Sequence, residues 1–248
     1  MRGVRAALAA TVLAAASACA PAGEGTALTV FAAASLTDSF GALAERFEAD
    51  HAGVDVRLNL AGSARLAQQI QEGAPADVYA SANERTMREV AAAGRVEGEP
   101  RTFATNRLTI AVAPGNPLGI ESFADLAEPG LTVVVCAPPV PCGSAAEEIE
   151  RITGVTLRPA SEEQNVKAVL TKVRTGEADA GLVYVTDVLS AGQEVAEVEL
   201  PEAARASNDY PVAVLKDAAE PELAREFRDF VFSDVGRQEL LRAGFGAP

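Results

Sequence analysis

VFAAASLTDSF, residues 30–40, sets the reading of this chain. An apolar run of β type ends in small residues, and a serine stands where an amphipathic helix begins. Ser35 is a natural N-cap: its hydroxyl and the free N–H groups after it face one space at the positive end of a helix dipole. Such a place holds an anion without any charged side chain. The same grammar returns in LAGSARLAQQI, residues 60–70, where Ser63 precedes a helical run over 64–71. Two serine-headed helix starts in one half of the chain point to an anion site.

Outward from these segments the chain alternates. Strands are expected over 28–32, 54–60, 77–80, 108–113, 132–136, 180–184 and 212–215. Between them fall helices over 36–50, 64–72, one capped by Ser81 or Asn83 and running to Ala93, 144–153 and 165–175. Two more, 221–231 and 235–243, close the chain. This is an α/β protein with mainly parallel sheets. The pattern divides into a first lobe of 28–105 with 215–248 and a second of 106–214. The hinge is expected at two β-type crossings, near 108–112 and 210–215.

The start of the chain is not part of the fold. Arg2 and Arg5 precede an apolar stretch over 7–16 and then Ser17-Ala18-Cys19, which reads as a secretory signal over 1–18. The stretch is too short to span a bilayer stably. A cysteine directly after small residues resembles a lipobox, which makes Cys19 a candidate for lipidation and 19–27 a flexible tether. The alternative is an ordinary cleaved signal in which Cys19 is incidental.

The formal net charge is −14, and loss of Arg2 and Arg5 with the signal takes it to −16. Such acidity argues against nucleic acid as a partner and repels anions at long range, so an anion site must rely on local donors. The remaining cysteines, Cys136 and Cys142, lie in VVVCAPPVPCGS. In an exported chain this closeness favours a structural disulfide over a reactive thiol pair or a metal site. A redox pair is more often C-x-x-C, and no histidine lies nearby.

Four places share one form, a loop of small residues before a helix start: Ser35, Ser63, Cys142-Gly143-Ser144 and Gln164-Asn165-Val166. Each start carries unpaired N–H donors. Two fall in each lobe, and ligands of such folds bind in the cleft at the C-terminal ends of parallel strands. Singly each is only a helix cap.

Taken in order, the blocks resemble the molybdate-binding proteins of bacterial ABC transporters. VFAAASLTDSF resembles that family's opening strand and serine loop. AGSARLAQQIQEGAPADVYASAN resembles its second serine loop, helix and P-A-D strand. VPCGSAAEEIE stands in place of its V-P-A-G loop, GLVYVTDV resembles its G-I-V-Y-x-T-D segment, and YPVAV matches the strand back to the first lobe. The resemblance implies a two-lobed periplasmic-binding-protein fold of type II. It implies no enzyme activity and no cofactor, with molybdate, and tungstate beside it, as the ligand. It also implies an exported, monomeric protein that serves a membrane permease and touches the membrane only through a lipid anchor. The oxyanion residues it implies are Ser35, Ser63, Cys142, Val166 and Tyr184. Ser35 and Ser63 would act through hydroxyl and backbone, Cys142 and Val166 through backbone N–H, and Tyr184 through its phenol. Molybdenum would be held only as the oxyanion, with no direct metal ligand. Cys142 departs from the family's usual alanine; bonded to Cys136, it would stiffen the loop that presents the donor.

The chemistry of the ligand agrees. A tetrahedral dianion without protons has acceptors only, and none of the five positions is Asp or Glu. Phosphate at neutral pH keeps a proton and needs an acceptor, so a donor-only site rejects it. Sulfate differs only in size. Arg65, one turn into a site helix, either adds positive potential or is a plain surface arginine. Ferric iron held by Tyr184, Tyr210 and Asp187 is the other binding reading, though adjacent paired tyrosines are absent. An enzyme reading has little to rest on: His51 lies in a turn, Glu162-Glu163 reads as a solvated helix start, and no nucleophile elbow, zinc motif or P-loop occurs.

Overall fold

The computed structural model describes residues 25–248. The expected signal, Cys19 and most of the expected tether lie outside the described residues. The first lobe opens with β1 (Thr26–Ala33), a 3-10 turn (Ala34–Leu36), α1 (Thr37–Asp50), β2 (Val54–Ala61), α2 (Ser63–Gln71), β3 (Val78–Ala80), α3 (Glu84–Ala92) and β4 (Val96–Asn106). The second holds β5 (Leu108–Val112), β6 (Val133–Cys136), α4 (Pro141–Thr153), β7 (Ser161–Glu163), α5 (Val166–Arg174), β8 (Ala180–Tyr184), α6 (Val185–Ala191) and β9 (Ala196–Val198). The chain then returns through β10 (Asn208–Leu215) and closes with α7 (Pro221–Val231) and α8 (Asp234–Arg242).

Each lobe is built on one five-stranded sheet, ordered β2-β1-β3-β10-β4 in the first and β7-β6-β8-β5-β9 in the second. The orders share one plan. Three strands run parallel, a fourth is reversed, and the fifth pairs antiparallel with it. Four of five strands in each sheet therefore point one way. The reversed strands are β10 and β5, which stand next to the two crossings between lobes.

Alternation along the central strands separates the faces. Val30 and Ala32 of β1 pack into a cluster with Phe40, Phe47, Phe103 and Phe227, while Phe31 enters a second cluster with Leu66, Tyr79 and Met87. Phe47 and Phe227 meet edge to face at 5.2 Å between centroids, which seats α7 on the first lobe. The core of the second lobe is richer in Val, Leu and Ala, with Ile149, Val169, Leu170 and Leu182 at its centre.

The structure revises several expectations. Thr26 and Ala27, placed in the tether, begin β1. β10 pairs along its whole length with β3 and β4, so residues 208–214 belong to the first sheet and the return crossing lies before Asn208. The strand β4 was hidden by Glu-Gly-Glu-Pro, which reads as a turn; at a sheet edge Pro100 costs no ladder bond. Glu162 and Glu163 form edge strand β7 instead of a helix start, and Glu163 pairs with Lys172 at 2.5 Å. His51 caps the C-terminus of α1, stacked on Phe47 at 3.8 Å with Nδ1 2.8 Å from the Phe47 carbonyl.

Candidate functional site

The C-terminal ends of β1, β2, β6 and β8 face one another across the cleft between the lobes. Ser35, Ser63, Cys142, Val166 and Tyr184 all line one small cavity there, with Gly62, Ala82, Val140, Pro141 and Asn165 among their neighbours. It is a small cavity, about 10 Å³. The lobes are shut on it: a Cβ added to Gly62 would fall 2.1 Å from the Gln164 carbonyl of the other lobe. Among the described residues no Asp, Glu, Lys, Arg or His lines it.

Neither serine caps a helix. Ser35 lies inside the 3-10 turn and its hydroxyl is 2.9 Å from the Tyr210 phenol. Ser63 is the first residue of α2, where Gly62 takes the cap position, and its Oγ accepts from the Ala82 N–H at 3.0 Å. That bond occupies a lone pair and leaves the Ser63 O–H free to donate. Tyr79, whose phenol donates to the Ser63 carbonyl at 3.0 Å, fixes the start of α2 from below. Burial pushes the Tyr79 phenol up to about 12.

The second lobe contributes helix starts directly. α4 begins at Pro141, earlier than the expected Ser144, so Cys142 and Gly143 fall in its first turn, where N–H groups have no partner inside the helix. Pro141 has no N–H to waste at that position. Cys142 is disulfide-bonded to Cys136, the last residue of β6, with Cα atoms 5.6 Å apart. The bond ties the start of α4 to its strand. Gly143 is needed there because a Cβ would fall 1.9 Å from the Ala137 carbonyl. In α5 the Asn165 side chain caps the helix by accepting from the Ala168 N–H at 3.0 Å, and Val166 follows with its own N–H unpaired within the helix.

Tyr184 closes the set. It is buried, and among the described residues its phenol oxygen has no hydrogen-bond partner. A buried orphan of this kind costs about 1–3 kcal/mol, so it marks a donor held for something else. Burial first, then the neighbouring Tyr210 and Asp187, raises its pKa well above the ordinary phenol value. The group therefore stays O–H across the physiological range and acts as a donor.

Several positioning residues were invisible in sequence. Asn208 donates to the Ala82 carbonyl at 2.8 Å and reaches the Pro141 carbonyl at 3.4 Å, joining both lobes behind the cavity. Asn106, paired with it in the sheet, donates to Thr186 Oγ1 at 2.9 Å. No local motif announces either residue, because their partners lie 67 to 126 positions away for Asn208 and 80 for Asn106. Arg65 lies exposed on α2 and does not line the cavity. Tyr184 and Tyr210 rings do stand 6.0 Å apart, but among the described residues no group of three or more His, Cys, Asp or Glu could hold a metal ion.

Two sheets of one plan, with a donor-lined cavity between them, define a solute-binding protein. A family model described as bacterial extracellular solute-binding protein matches residues 28–246, and the chain belongs to that family. Within it, the molybdate-binding protein ModA of Mycobacterium tuberculosis H37Rv is 52% identical over 221 residues, covering 89% of this chain and 85% of that protein. The ModA of Escherichia coli K12 is 30% identical over 228 residues, covering 88% of each. In fold the chain is similar to the periplasmic molybdate-binding protein of Azotobacter vinelandii, with a TM-score of 0.79 at 21% identity over 89% of this chain and 99% of that one. It is also similar in fold to the sulfate-binding protein SubI of M. tuberculosis, with a TM-score of 0.76 at 22% identity over 89% and 86%. No helix among the described residues is long and apolar enough to cross a membrane.

Proposed function

We propose that this protein captures molybdate, and tungstate with it, between its two lobes and delivers the closed complex to a membrane permease of an ABC transporter. The observation that carries the reading is the buried Tyr184 phenol, unpartnered among the described residues, in a cavity that helix starts and none of their charged side chains line. The high identity to proteins named molybdate-binding supports the choice of oxyanion. Ser35, Ser63 and Tyr184 supply O–H donors, and the backbone at Ser35, Ser63, Cys142 and Val166 supplies N–H donors. Each hydrogen bond to the dianion contributes roughly 1.5–3 kcal/mol, against an association cost of about 4–15 kcal/mol. Around seven such bonds suffice for tight binding without a counter-charge.

The specificity follows from proton count and then from size. A site of donors leaves the phosphate proton without an acceptor. Sulfate carries no proton, so only the span of the closed cage separates it from molybdate. The ligand enters with the lobes parted, since residues of both lobes wall the closed cavity. The mature protein is exported, with Cys19 as its lipid anchor to the outer face of the cytoplasmic membrane, and acts as a monomer. It performs no catalysis and needs no cofactor.

Isothermal titration of ligand-stripped protein with molybdate, tungstate, sulfate and phosphate tests the reading. Tight one-to-one binding of the first two, weak sulfate and silent phosphate is the expected result. Tight sulfate binding would reassign the ion while keeping the cage; silence from all four would remove the oxyanion reading.

A further inference from the structure

Lys167 stands one residue beyond Val166 on α5, and Asp38 three residues beyond Ser35 in the first turn of α1. Across the cleft Lys167 Nζ lies 3.1 Å from Asp38 Oδ2. Within its own lobe the same nitrogen lies 3.2 Å from Asp187 Oδ1 and 3.2 Å from Ser190 Oγ. Asp187 is wholly buried, whereas the Asp38 side chain is 59% exposed. Asp187 Oδ2 accepts from the Tyr184 N–H at 3.0 Å, so the carboxylate stands directly behind the residue that carries the orphan phenol. One cation thus touches both lobes and the support of the cage.

The two contacts differ in kind. Lys167 and Asp187 belong to one lobe, and their pairing survives when the lobes part. It also has a reason to be permanent: an unpaired carboxylate buried behind Tyr184 would be costly in itself and would repel a bound dianion. Burial already pushes the Asp187 carboxyl up to about 6, with Lys167 pulling the other way. The Lys167–Asp38 pair, in contrast, joins residues of opposite lobes and is lost on opening.

We propose that Lys167 is an interlobe latch: held by Asp187 within the second lobe, it takes up Asp38 only when the lobes close. The role rests on the ligand reading given above. Lys167 is a positioning residue that lies outside the cavity lining. Its bond to Asp38 exists in the closed form alone, so it slows ligand release and leaves capture unchanged. Because Asp38 is more than half exposed, the pair changes release by about two- to fivefold, the range of a surface ion pair.

The test follows radiolabelled molybdate released from preloaded protein into excess unlabelled molybdate, with association rates measured in parallel. Asp38→Asn is expected to release about two- to fivefold faster at an unchanged association rate. Lys167→Arg is expected to stay within about twofold of wild type, because it keeps the charge. In a Lys167→Met background Asp38→Asn is expected to add nothing. A release rate for Asp38→Asn equal to wild type would overturn the latch, as would an Asp38→Asn effect undiminished by Lys167→Met. Wild-type protein that takes up no molybdate would overturn the ligand assignment and this role with it, which separates the two failures.

Discussion

Tyr184 and Asp187 lie three positions apart at the start of α6, and both are buried. Among the described residues the phenol of Tyr184 has no hydrogen-bond partner. Tyr184→Phe removes that donor while keeping the ring packed. Molybdate affinity is expected to fall by about 1.5–3 kcal/mol, roughly ten- to 150-fold, with ligand-free stability unchanged or slightly raised. Calorimetry and thermal unfolding of the same sample read the two effects; a loss of stability with affinity intact would make Tyr184 a packing residue. For Asp187 the sign is set by burial. Its folded pKa, about 6, lies above the ordinary 3.8, so the native state holds the proton more tightly than the unfolded chain. The stability from that proton is present below pH 3.8 and lost as pH rises through about 6. Wild type compared with Asp187→Asn is expected to lose on the order of 3 kcal/mol between pH 4 and 7 in denaturant titrations. A pH-independent difference would mean that Lys167 neutralises Asp187 completely.

At the scale of elements, closure depends on a glycine before α2. Gly62 has an ordinary backbone conformation, φ −60° and ψ 134°, so alanine fits it locally. Its Cβ, however, would sit 2.1 Å from the Gln164 carbonyl on the facing lobe. Gly62→Ala is therefore expected to fold with wild-type stability yet bind molybdate at least about tenfold more weakly, a penalty of 1.4 kcal/mol or more. Small-angle scattering should show it failing to compact on adding ligand, and full compaction would contradict the contact. This glycine was legible only as part of a loop of small residues. The elements themselves were more legible: apolar strands ending in Ala33, Ala61 and Tyr184, and helices with one apolar face, were readable from periodicity. What failed were places where distant partners overrule local grammar. Ser35 and Ser63 look like caps, but their hydroxyls engage Tyr210, 175 positions away, and Ala82, 19 away. β4 escaped because its central Gly and Pro suit an edge strand as well as a turn. Most helix starts were readable to within a few residues from a short window, although α4 begins three residues before Ser144 and α6 was not expected; the bonds that aim them were not readable.

The whole molecule is an acidic body with a neutral, donor-lined centre. Its charge of −14 opposes an approaching dianion, so binding strength has to come from the closed cage rather than from long-range attraction. The repeated sheet plan brings this about: the parallel strands of both lobes end at the same cleft, so each lobe presents part of the donor set and neither alone completes it. The two reversed strands, β5 and β10, carry the chain between lobes, with Asn106 and Asn208 bonded across the crossings. Under the proposed function, the closed cage holds one oxyanion by hydrogen bonds alone. Anomalous diffraction at the molybdenum edge, from crystals grown with molybdate, tests it most directly. One molybdenum peak is expected between the lobes, its oxygens within hydrogen-bond distance of Ser35, Ser63, Cys142, Val166 and Tyr184. A peak elsewhere, or one whose oxygens bypass Tyr184, would contradict it.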